Sequence, residues 1–486
     1  MSALGSLEPK SLFGYFEELT QIPHGSGNLQ AISDHLTGFA RDRDFDVVQD
    51  EALNVIIKVP GTAGYEDHAP VILQGHMDMV AVCEEGAGID MTCDPLKITT
   101  DGEWISAEKT SLGGDNGIAV AMCQAILTDD SLQHPPLTVV ITTDEETGMD
   151  GARALDPELI AGKRMINLDS EDEGVMLAGC AGGGRFHARY LYEQVKRSGV
   201  KCEISISGLQ GGHSGQMIKA ERGNANVLLA RLLYELYRKE KIDYSLISVN
   251  GGTADNVIPS QSTAVIILPQ ETEVSALKKA ADTVAAKMKA ELEIKDPGFW
   301  VTITEQGKGT FTCFDSSSMK HAVKLICSLP NGVQAMSAAM EGLVETSLNL
   351  GILTTDEKAQ TMTLSYSVRS SVTSAKEHLL DRLRMIAKSY GAATEVTGLY
   401  PGWTYTTESP LRDTMIRVFE KMYGRTPTVE AIHAGVECGF FAEKIPGIDC
   451  VSIGPDMQDI HSVREKLSVS SSRRTYEFVC AVLKEL

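Results

Sequence analysis

Five residues of the kinds that bind metal ions stand where this chain leaves short apolar runs. They are His76, Asp115, Glu146, Asp169 and His461. His76 ends the run VILQGH and Asp169 ends RMINLD, so both follow segments that read as buried strands. Because an open α/β sheet presents its ligand site at the carboxyl ends of its strands, we expect these side chains to converge, although they lie far apart in sequence.

The chemistry of the five side chains narrows what they can bind. Two imidazoles and three carboxylates, with no thiolate, suit Zn, Mn or Co. A single catalytic ion with an open position needs only three protein ligands, so five predict two divalent ions that share a bridging carboxylate. Each residue taken singly has a plainer explanation as a polar strand end, a turn residue or a surface charge. Their combination is what predicts hydrolysis.

Composition excludes several other classes of function. With 486 residues the chain is too long for one ordinary core, and 43% hydrophobic with 23% charged residues is typical of a globular protein. A formal charge of -22 argues against binding to nucleic acid or to an anionic membrane. The chain begins without a basic, apolar signal segment and has no run that could span a bilayer, so we expect a cytoplasmic protein. Its ten scattered cysteines predict free thiols.

The order of helical and strand-like segments predicts two domains. Strands alternate with helices up to the glycine-rich segment CAGGGR, which indicates an α/β domain. Beyond it, strand-like segments and long helices form an α+β pattern with antiparallel strands, and the α/β pattern returns near residue 392. We therefore expect a discontinuous catalytic domain, residues 1–182 and 392–486, with residues 183–391 inserted.

Two acidic residues beside the candidate ligands suggest supporting roles. Asp78 lies two residues after His76, so both side chains point the same way from an extended backbone, and its carboxylate can orient the imidazole. Glu145 and Glu146 are adjacent, so one can bind metal while the other accepts a proton from metal-bound water.

The chain as a whole resembles the aminoacylase/carnosinase family of di-metal peptidases, and within it the bacterial aminoacyl-histidine dipeptidases. The matching segments run in the family's order over nearly the whole chain: LQGHMDMV, TSLGGDNGIA, TTDEETGMDGA, INLDSEDEG, CAGGG, GLQGGHSG, NGGTADNVIP, VETSLNLG, YPGW, HAGVECGFF and VSIGPD. The resemblance implies a zinc-peptidase-like mixed-sheet catalytic domain with an inserted α+β lid and dimerisation domain. It also implies broad hydrolysis of dipeptides, Xaa-His and β-alanyl-His among them.

The resemblance further implies how the five ligands are shared. His76 and Asp169 would bind one ion, Glu146 and His461 the other, and Asp115 would bridge them. Both ions are expected to be Zn, with Mn or Co as alternatives.

Four further roles follow from the same resemblance. Glu145 would be the general base for a metal-bridging water, and Asp78 would support His76. GGHSG matches the substrate-contacting segment of the inserted domain, which in relatives forms a homodimer. His213 would then stabilise the oxyanion in the partner's active site.

The resemblance also implies which residues contact the carboxyl end of the substrate. Asn256 and Arg369 match positions that help to bind it. The segment HAGVECG matches one that lines the site there, with Gly435 as a backbone donor and Glu437 as a polar contact.

Two segments stand apart from this match. After His461 the chain reads SVREK, whereas relatives often have a proline and an acidic residue soon after the histidine. The ligand itself is intact, so this departure bears on substrate detail rather than on metal binding. The segment PHGSG around His24 varies in the family, and we place His24 outside the site.

Two rival functions remain open from the sequence. An N-acyl amino acid deacylase of the same superfamily would use the same metal site and differ in whether the pocket binds a free substrate amine. A non-catalytic binding protein that keeps the fold is the other alternative, and the loss of Glu145 or of a ligand would have favoured it. A nucleotide-binding function fails because GLQGGHSG lacks the spacing of a dinucleotide-binding or Walker loop.

Overall fold

The computed structural model describes residues 2–486. The strands are β1 (Asp46–Gln49), β2 (Val55–Val59), β3 (Val71–His76), β4 (Ile98–Thr100), β5 (Trp104–Ala107), β6 (Leu137–Thr142), β7 (Arg164–Asn167), β8 (Val175–Cys180), β9 (Gly182–Leu191), β10 (Gln194–Ser207), β11 (Gly212–His213), β12 (Ser245–Gly251), β13 (Val257–Ile258), β14 (Ser262–Leu268), β15 (Trp300–Phe314), β16 (Gly332–Met336), β17 (Val344–Asp356), β18 (Thr361–Ser370), β19 (Ala393–Tyr400), β20 (Thr428–Ile432), β21 (Asp449–Ser452), β22 (Met457–Gln458) and β23 (Lys466–Ser468). The α-helices are α1 (Lys10–Leu19), α2 (Gln30–Arg41), α3 (Gly114–Leu127), α4 (Glu145–Gly148), α5 (Asp150–Ala154), α6 (Ala225–Arg238), α7 (Val274–Leu292), α8 (Ser316–Ser328), α9 (Thr373–Ser389), α10 (Pro410–Tyr423), α11 (Cys438–Lys444) and α12 (Val469–Leu483).

The chain divides into two compact units. Unit 1 comprises residues up to Cys180 together with Trp403–Ala431 and Val436–Leu486, and unit 2 comprises Ala181–Gly402 and Ile432–Gly435. Residues 393–400 were expected in the catalytic domain, but as β19 they pair with β9 and so belong to unit 2. Strand pairing over a distance in sequence sets this boundary, and no local composition change marks it.

Unit 1 is built on a mixed sheet whose strand order is β1-β2-β6-β3-β7-β21-β8-β20. Its centre is parallel: β3 pairs with β6 and β7, and β7 pairs with β21. Every residue of β3 and β6 is buried, as expected of strands that helices cover on both faces. The predicted α/β fold class is confirmed.

Helix α3 lies against β3 and α1, and nearly all of its residues are buried. A helix that is apolar on all sides belongs inside a core rather than at its surface. Its first turn carries Asp115, so the most enclosed helix of unit 1 positions one of the candidate ligands.

Unit 2 contains a largely antiparallel sheet in the order β15-β10-β14-β12-β17-β18-β9-β19, with β16 added beside β17. Helices α6, α7, α8 and α9 contribute buried apolar side chains to its core. A separate short pair, β11 with β13, brings the GGHSG segment beside the segment that contains Asn256. None of the helices in residues 2–486 combines the length and the apolar composition needed to cross a membrane.

The close packing of α3 on β3 generates a stability prediction. A Cβ at Gly75 would lie 2.5 Å from Asn116 Oδ1 and 3.0 Å from the Ala119 Cβ. Gly75→Ala should therefore push α3 away and lower the free energy of unfolding by about 1–3 kcal/mol, measured by urea denaturation. Gly14→Ala is the matched control, because nothing lies within 4 Å of that position in the exposed face of α1. It should raise stability by about 0.5–1 kcal/mol, and equal stability of the two variants would contradict the packing.

Candidate metal centre

The five candidate ligands meet at one edge of the unit 1 sheet. His76 is the last residue of β3, Asp169 follows β7, and Glu146 lies in α4 just after β6. Asp115 is in the first turn of α3, and His461 is in the loop between β22 and β23. The ligand atoms of His76, Asp115 and Glu146 all lie within 4.8 Å of one another. Parallel strands explain the convergence, because their carboxyl ends lie along the same edge.

The Asp115 carboxylate lies between the two imidazoles. Its Oδ1 is 3.2 Å from His76 Nε2 and its Oδ2 is 3.1 Å from His461 Nε2. Each imidazole nitrogen also faces a second carboxylate: Asp169 Oδ1 is 3.2 Å from His76 Nε2, and Glu146 Oε1 is 2.8 Å from His461 Nε2. The site thus consists of two similar halves, each with one imidazole and one carboxylate of its own, and Asp115 is common to both.

These contacts fit two cations better than they fit hydrogen bonds alone. An imidazole nitrogen carries at most one hydrogen, so it cannot donate a well-aligned hydrogen bond to two carboxylate oxygens at once. Glu146 Oε1 is buried and makes no hydrogen bond in the described chain, although it lies at ion-pair distance from His461. The His76 Nδ1 donates to the carbonyl oxygen of Asp78 at 3.0 Å, which leaves a lone pair on Nε2 when the ring is neutral. Nitrogen and oxygen donors in this arrangement suit a divalent ion such as Zn.

The protein's own charges already compensate one another in this site. Burial acts to lower the pKa of His76, but the carboxylates of Asp169, Asp115 and Asp78 raise it well above its usual value. The nearby carboxylates of Asp115 and Glu146 raise the pKa of His461 to about 10. The concentrated negative charge of the carboxylates therefore attracts positive charge to these two positions.

Asp78 connects the first imidazole to the segment that carries Glu145 and Glu146. It is 1% exposed. Its Oδ1 lies 3.3 Å from His76 Nδ1 and accepts the backbone N–H of Glu145 at 3.0 Å, while its Oδ2 accepts the N–H of Glu146 at 3.2 Å. One carboxylate thus holds both the ring and the start of α4 in place.

The Glu145 side chain is half-buried and makes no hydrogen bond or ion pair within residues 2–486. Burial raises its pKa well above the usual value; the charge on His76 opposes this, and Asp169, Glu437 and Glu146 add to it. An unpaired carboxylate beside a cluster of ligands is chemically free to accept and release a proton.

Sequence comparison agrees with this geometry. Residues 72–485 match the sequence profile of peptidase family M20/M25/M40. The chain belongs to this family. The peptidase is 36% identical over 489 aligned residues to the cytosol non-specific dipeptidase of Escherichia coli K12, covering 100% of this chain and 99% of that relative. The predicted resemblance is therefore confirmed at the level of the family.

Solved structures show the same fold. The crystal structure of aminoacylhistidine dipeptidase from Vibrio alginolyticus superposes with a TM-score of 0.93 at 34% identity, covering 99% of this chain and 98% of that one. Aminopeptidase PepT from Bacillus cereus is more distant, with a TM-score of 0.56 at 18% identity over 99% of each chain, and indicates a shared fold alone.

Unit 2 of the peptidase brings together three of the residues expected to contact substrate. His213 lies in β11 opposite Val257 in β13, and the N–H of Ser214 donates to the carbonyl of Asn256 at 2.8 Å. Arg369 is 9% exposed, and its charge is close enough to help lower the pKa of His213 after the larger effect of burial.

His433 joins this group, and the sequence did not single it out. Its Nε2 lies 2.7 Å from Ser347 Oγ, and its Nδ1 is buried without a hydrogen bond in the described residues. Burial and then the charge of Arg369 lower the pKa of His433 to about 4, so the ring is neutral at pH 7. The Nε of Arg369 also lacks a partner there. Gly435, two residues beyond His433, is half-buried in the same unit.

Glu437 differs from the expectation of a contact with substrate. Its side chain is 0% exposed, and its Oε2 accepts from Gln74 Nε2 and Thr142 Oγ1, both at 2.6 Å. Gln74 lies in β3 and Thr142 ends β6, so Glu437 is buried behind the strand ends. Its hydrogen bonds join the two strands that precede candidate ligands, and its burial closes it off from solvent.

Ser26 is a second residue that the sequence left out. It lies in PHGSG, where Ser26 Oγ donates to Asp78 Oδ2 at 2.8 Å and the N–H of Gly27 donates to Asp144 Oδ1 at 2.7 Å. The PHGSG segment therefore adds two hydrogen bonds to the support of Asp78 and of the residue before α4. A small polar residue in a glycine-rich break was its only signal, and such breaks are common in surface turns.

The buried carboxyl of Glu437 generates a prediction about pH. Burial raises its pKa from 4.5 to about 8, although the hydrogen bonds from Thr142 and Gln74 act to lower it. A carboxyl with a raised folded pKa stabilises the fold below pH 4.5, and this contribution is lost as the pH rises through about 8. In metal-stripped protein, Glu437→Gln should therefore gain Tm relative to wild type between about pH 5 and about pH 9.

Glu443→Gln is the matched control for this measurement, because Glu443 is an exposed glutamate on the same helix, α11. Its Tm should follow the wild-type profile over the same range. A constant difference in Tm between Glu437→Gln and wild type would show that Glu437 does not titrate in this interval.

Proposed function

We propose that this peptidase is a di-metal dipeptidase of broad specificity whose substrates include Xaa-His and β-alanyl-His. The position of Asp115, with one oxygen toward each imidazole, is the observation that carries the proposal. The relatives described as a cytosol non-specific dipeptidase and an aminoacylhistidine dipeptidase support the choice of dipeptides over N-acyl amino acids. The cytosolic description of the former also supports a cytoplasmic location.

In this proposal His76 and Asp169 would hold one ion, Glu146 and His461 would hold the other, and Asp115 would be shared by both. The five side chains supply nitrogen and oxygen ligands without sulfur, which favours Zn, with Mn or Co as alternatives. When bound, the ions supply Lewis-acid polarisation of the scissile carbonyl and activation of water.

The proton transfer belongs to Glu145. Its carboxylate is unpaired, and Asp78 fixes its backbone through the N–H at 3.0 Å. Bound divalent cations would favour the ionised form of Glu145, which is the form that accepts a proton. Glu145 takes the proton of the attacking water and then delivers it to the nitrogen of the leaving amine.

Substrate binding is assigned to unit 2. Arg369 offers a guanidinium with an unpartnered Nε, and a guanidinium pairs well with the terminal carboxylate of a dipeptide. Asn256 is exposed and offers an amide, and Gly435 offers its backbone N–H. His213 is proposed to stabilise the oxyanion that develops on the scissile carbonyl.

The two adjacent glutamates provide the sharpest test of these roles. Glu145→Gln keeps the shape of the side chain and removes the base, so kcat for a dipeptide should fall by roughly 10²–10⁴-fold or more. Its content of divalent metal, measured by elemental analysis after gel filtration, should stay at the wild-type level. Glu146→Gln should instead lose metal, because Glu146 is the ligand. Metal lost from Glu145→Gln and retained by Glu146→Gln would mean that the two roles are reversed.

Metal removal and refilling complete this test on the wild-type enzyme. Chelation should abolish hydrolysis and Zn, Mn or Co should restore it. The refilled enzyme is then assayed on a panel of dipeptides and on their N-acetylated forms. Hydrolysis of the acetylated forms in preference to the free dipeptides would favour a deacylase, and active protein without divalent metal would refute the di-metal mechanism.

A homodimer through unit 2, with His213 acting in the partner's site, completes the proposal. Mixing inactive His213→Ala with inactive Glu145→Gln should then restore part of the activity, because each hybrid dimer contains one site with both groups intact. Glu145→Gln mixed with Asp115→Asn is the control, since both changes lie in unit 1 and should not complement. Activity that stays absent after proven subunit exchange would show that His213 does not act across subunits.

A further inference from the structure

Glu465 is a buried carboxylate that the roles proposed so far do not use. It lies four residues after His461 and is 4% exposed. From Gln458 to Lys466 it is the one residue that is buried. A carboxylate excluded from water needs several hydrogen bonds or a cation to compensate for its lost hydration.

Four consecutive backbone N–H groups provide those hydrogen bonds. Glu465 Oε2 accepts from Leu112 at 2.8 Å and from Gly113 at 3.2 Å. Its Oε1 accepts from Gly114 at 2.8 Å and, more weakly, from Asp115 at 3.4 Å. These groups lead into the first turn of α3, where N–H groups have no partners within the helix.

The backbone that leads into α3 has irregular geometry at Gly113 and Asp115, so it depends on contacts from outside the helix. Gly113 has φ 71°, in the left-handed region, and Asp115 departs from helical geometry with φ -85° and ψ 103°. The Asp115 side chain extends from this irregular turn, and both of its oxygens face imidazoles. The direction of its carboxylate therefore depends on the backbone that Glu465 binds.

The loop that carries His461 leads directly to Glu465. Asp459 and His461 have φ of 49° and 60°, values that non-glycine residues adopt at a cost in free energy. The loop is closed by pairing of Met457 with Leu467, and the N–H of Glu465 donates to the carbonyl of Ser462 at 3.1 Å. Glu465 is the point at which this loop enters the core and contacts the turn of Asp115.

We propose that Glu465 is a positioning residue that fixes Asp115 and His461 relative to each other, so that the bridging carboxylate faces both metal positions. This inference rests on the proposed metal-binding roles of those two residues. A plain helix cap would stabilise α3 and leave metal affinity unchanged. A positioning residue changes metal affinity as well, because Asp115 is shared by both ions.

Glu465→Gln tests this distinction. The amide nitrogen of the glutamine would face two N–H donors, so half of the contacts would be lost. Metal affinity of the full-length protein, measured with Zn by competition against a chelator, should fall roughly 10–100-fold. At saturating Zn, kcat should fall while KM for a dipeptide is unchanged, because substrate contacts lie elsewhere. The rise in Tm on adding Zn should also be smaller than in wild type.

Asp449→Asn is the matched control. Asp449 is likewise a carboxylate at a helix start, where it accepts from Ser409 Oγ and from the N–H of Leu411 at 2.9 Å. It begins β21, at the end of the parallel strands opposite to the ligands. This variant should lower Tm of metal-free and Zn-loaded protein alike and keep wild-type Zn affinity.

Each outcome separates the inference from the proposed function. Wild-type protein that binds no divalent ion would refute the di-metal function and this inference with it. The inference alone would be refuted if Glu465→Gln bound two ions with wild-type affinity and lowered Tm equally in metal-free and Zn-loaded protein. Glu465 would then be only a helix cap. If Glu465→Gln does not fold, Glu465→Asp provides the same comparison. It keeps the charge but is too short to reach all four N–H groups, and unchanged Zn affinity there would equally refute the inference.

Discussion

The arrangement of Asp115 between His76 and His461 is the constraint on which the rest of unit 1 depends. Carboxylates and imidazoles brought this close are stable only if positive charge lies among them, as protons or as metal ions. The pKa of His461 rises to about 10 for this reason. A protein can maintain such a cluster only on a rigid support, because each side chain would otherwise turn toward water.

That support comes from hydrogen bonds made by the residues that lie behind the candidate ligands. Asp78 holds His76 and the start of α4, and Ser26 donates to Asp78 in turn. Glu437 binds the ends of β3 and β6 from inside, and Glu465 binds the first turn of α3. Changing a side chain that positions a metal ligand typically lowers metal affinity or activity by about 10–100-fold. The geometry of the site therefore depends on these supporting hydrogen bonds as well as on the five candidate ligands.

Unit 2 has a different physical character. Its candidate substrate contacts include a guanidinium, an imidazole and an amide, and both Arg369 Nε and His433 Nδ1 are buried without a hydrogen-bond partner within residues 2–486. Unpaired donors of this kind favour a ligand that carries an anionic or polar end, such as a dipeptide carboxylate. Under the proposed function, catalysis and substrate recognition belong to separate units of one chain.

The sequence by itself determined the α/β fold class, the family and the types of residue that meet at the strand ends, since apolar runs and the polar residues that follow them are local patterns. It could not place β19 in unit 2, because strand pairing depends on distant partners. Nor could it distinguish buried acids from exposed ones. The sequence predicts a substrate contact at Glu437, which is instead enclosed in the core. It assigns only substrate detail to the segment after His461, which contains the buried Glu465. Burial and hydrogen-bond partners decide what a carboxylate does, and only the tertiary structure supplies both.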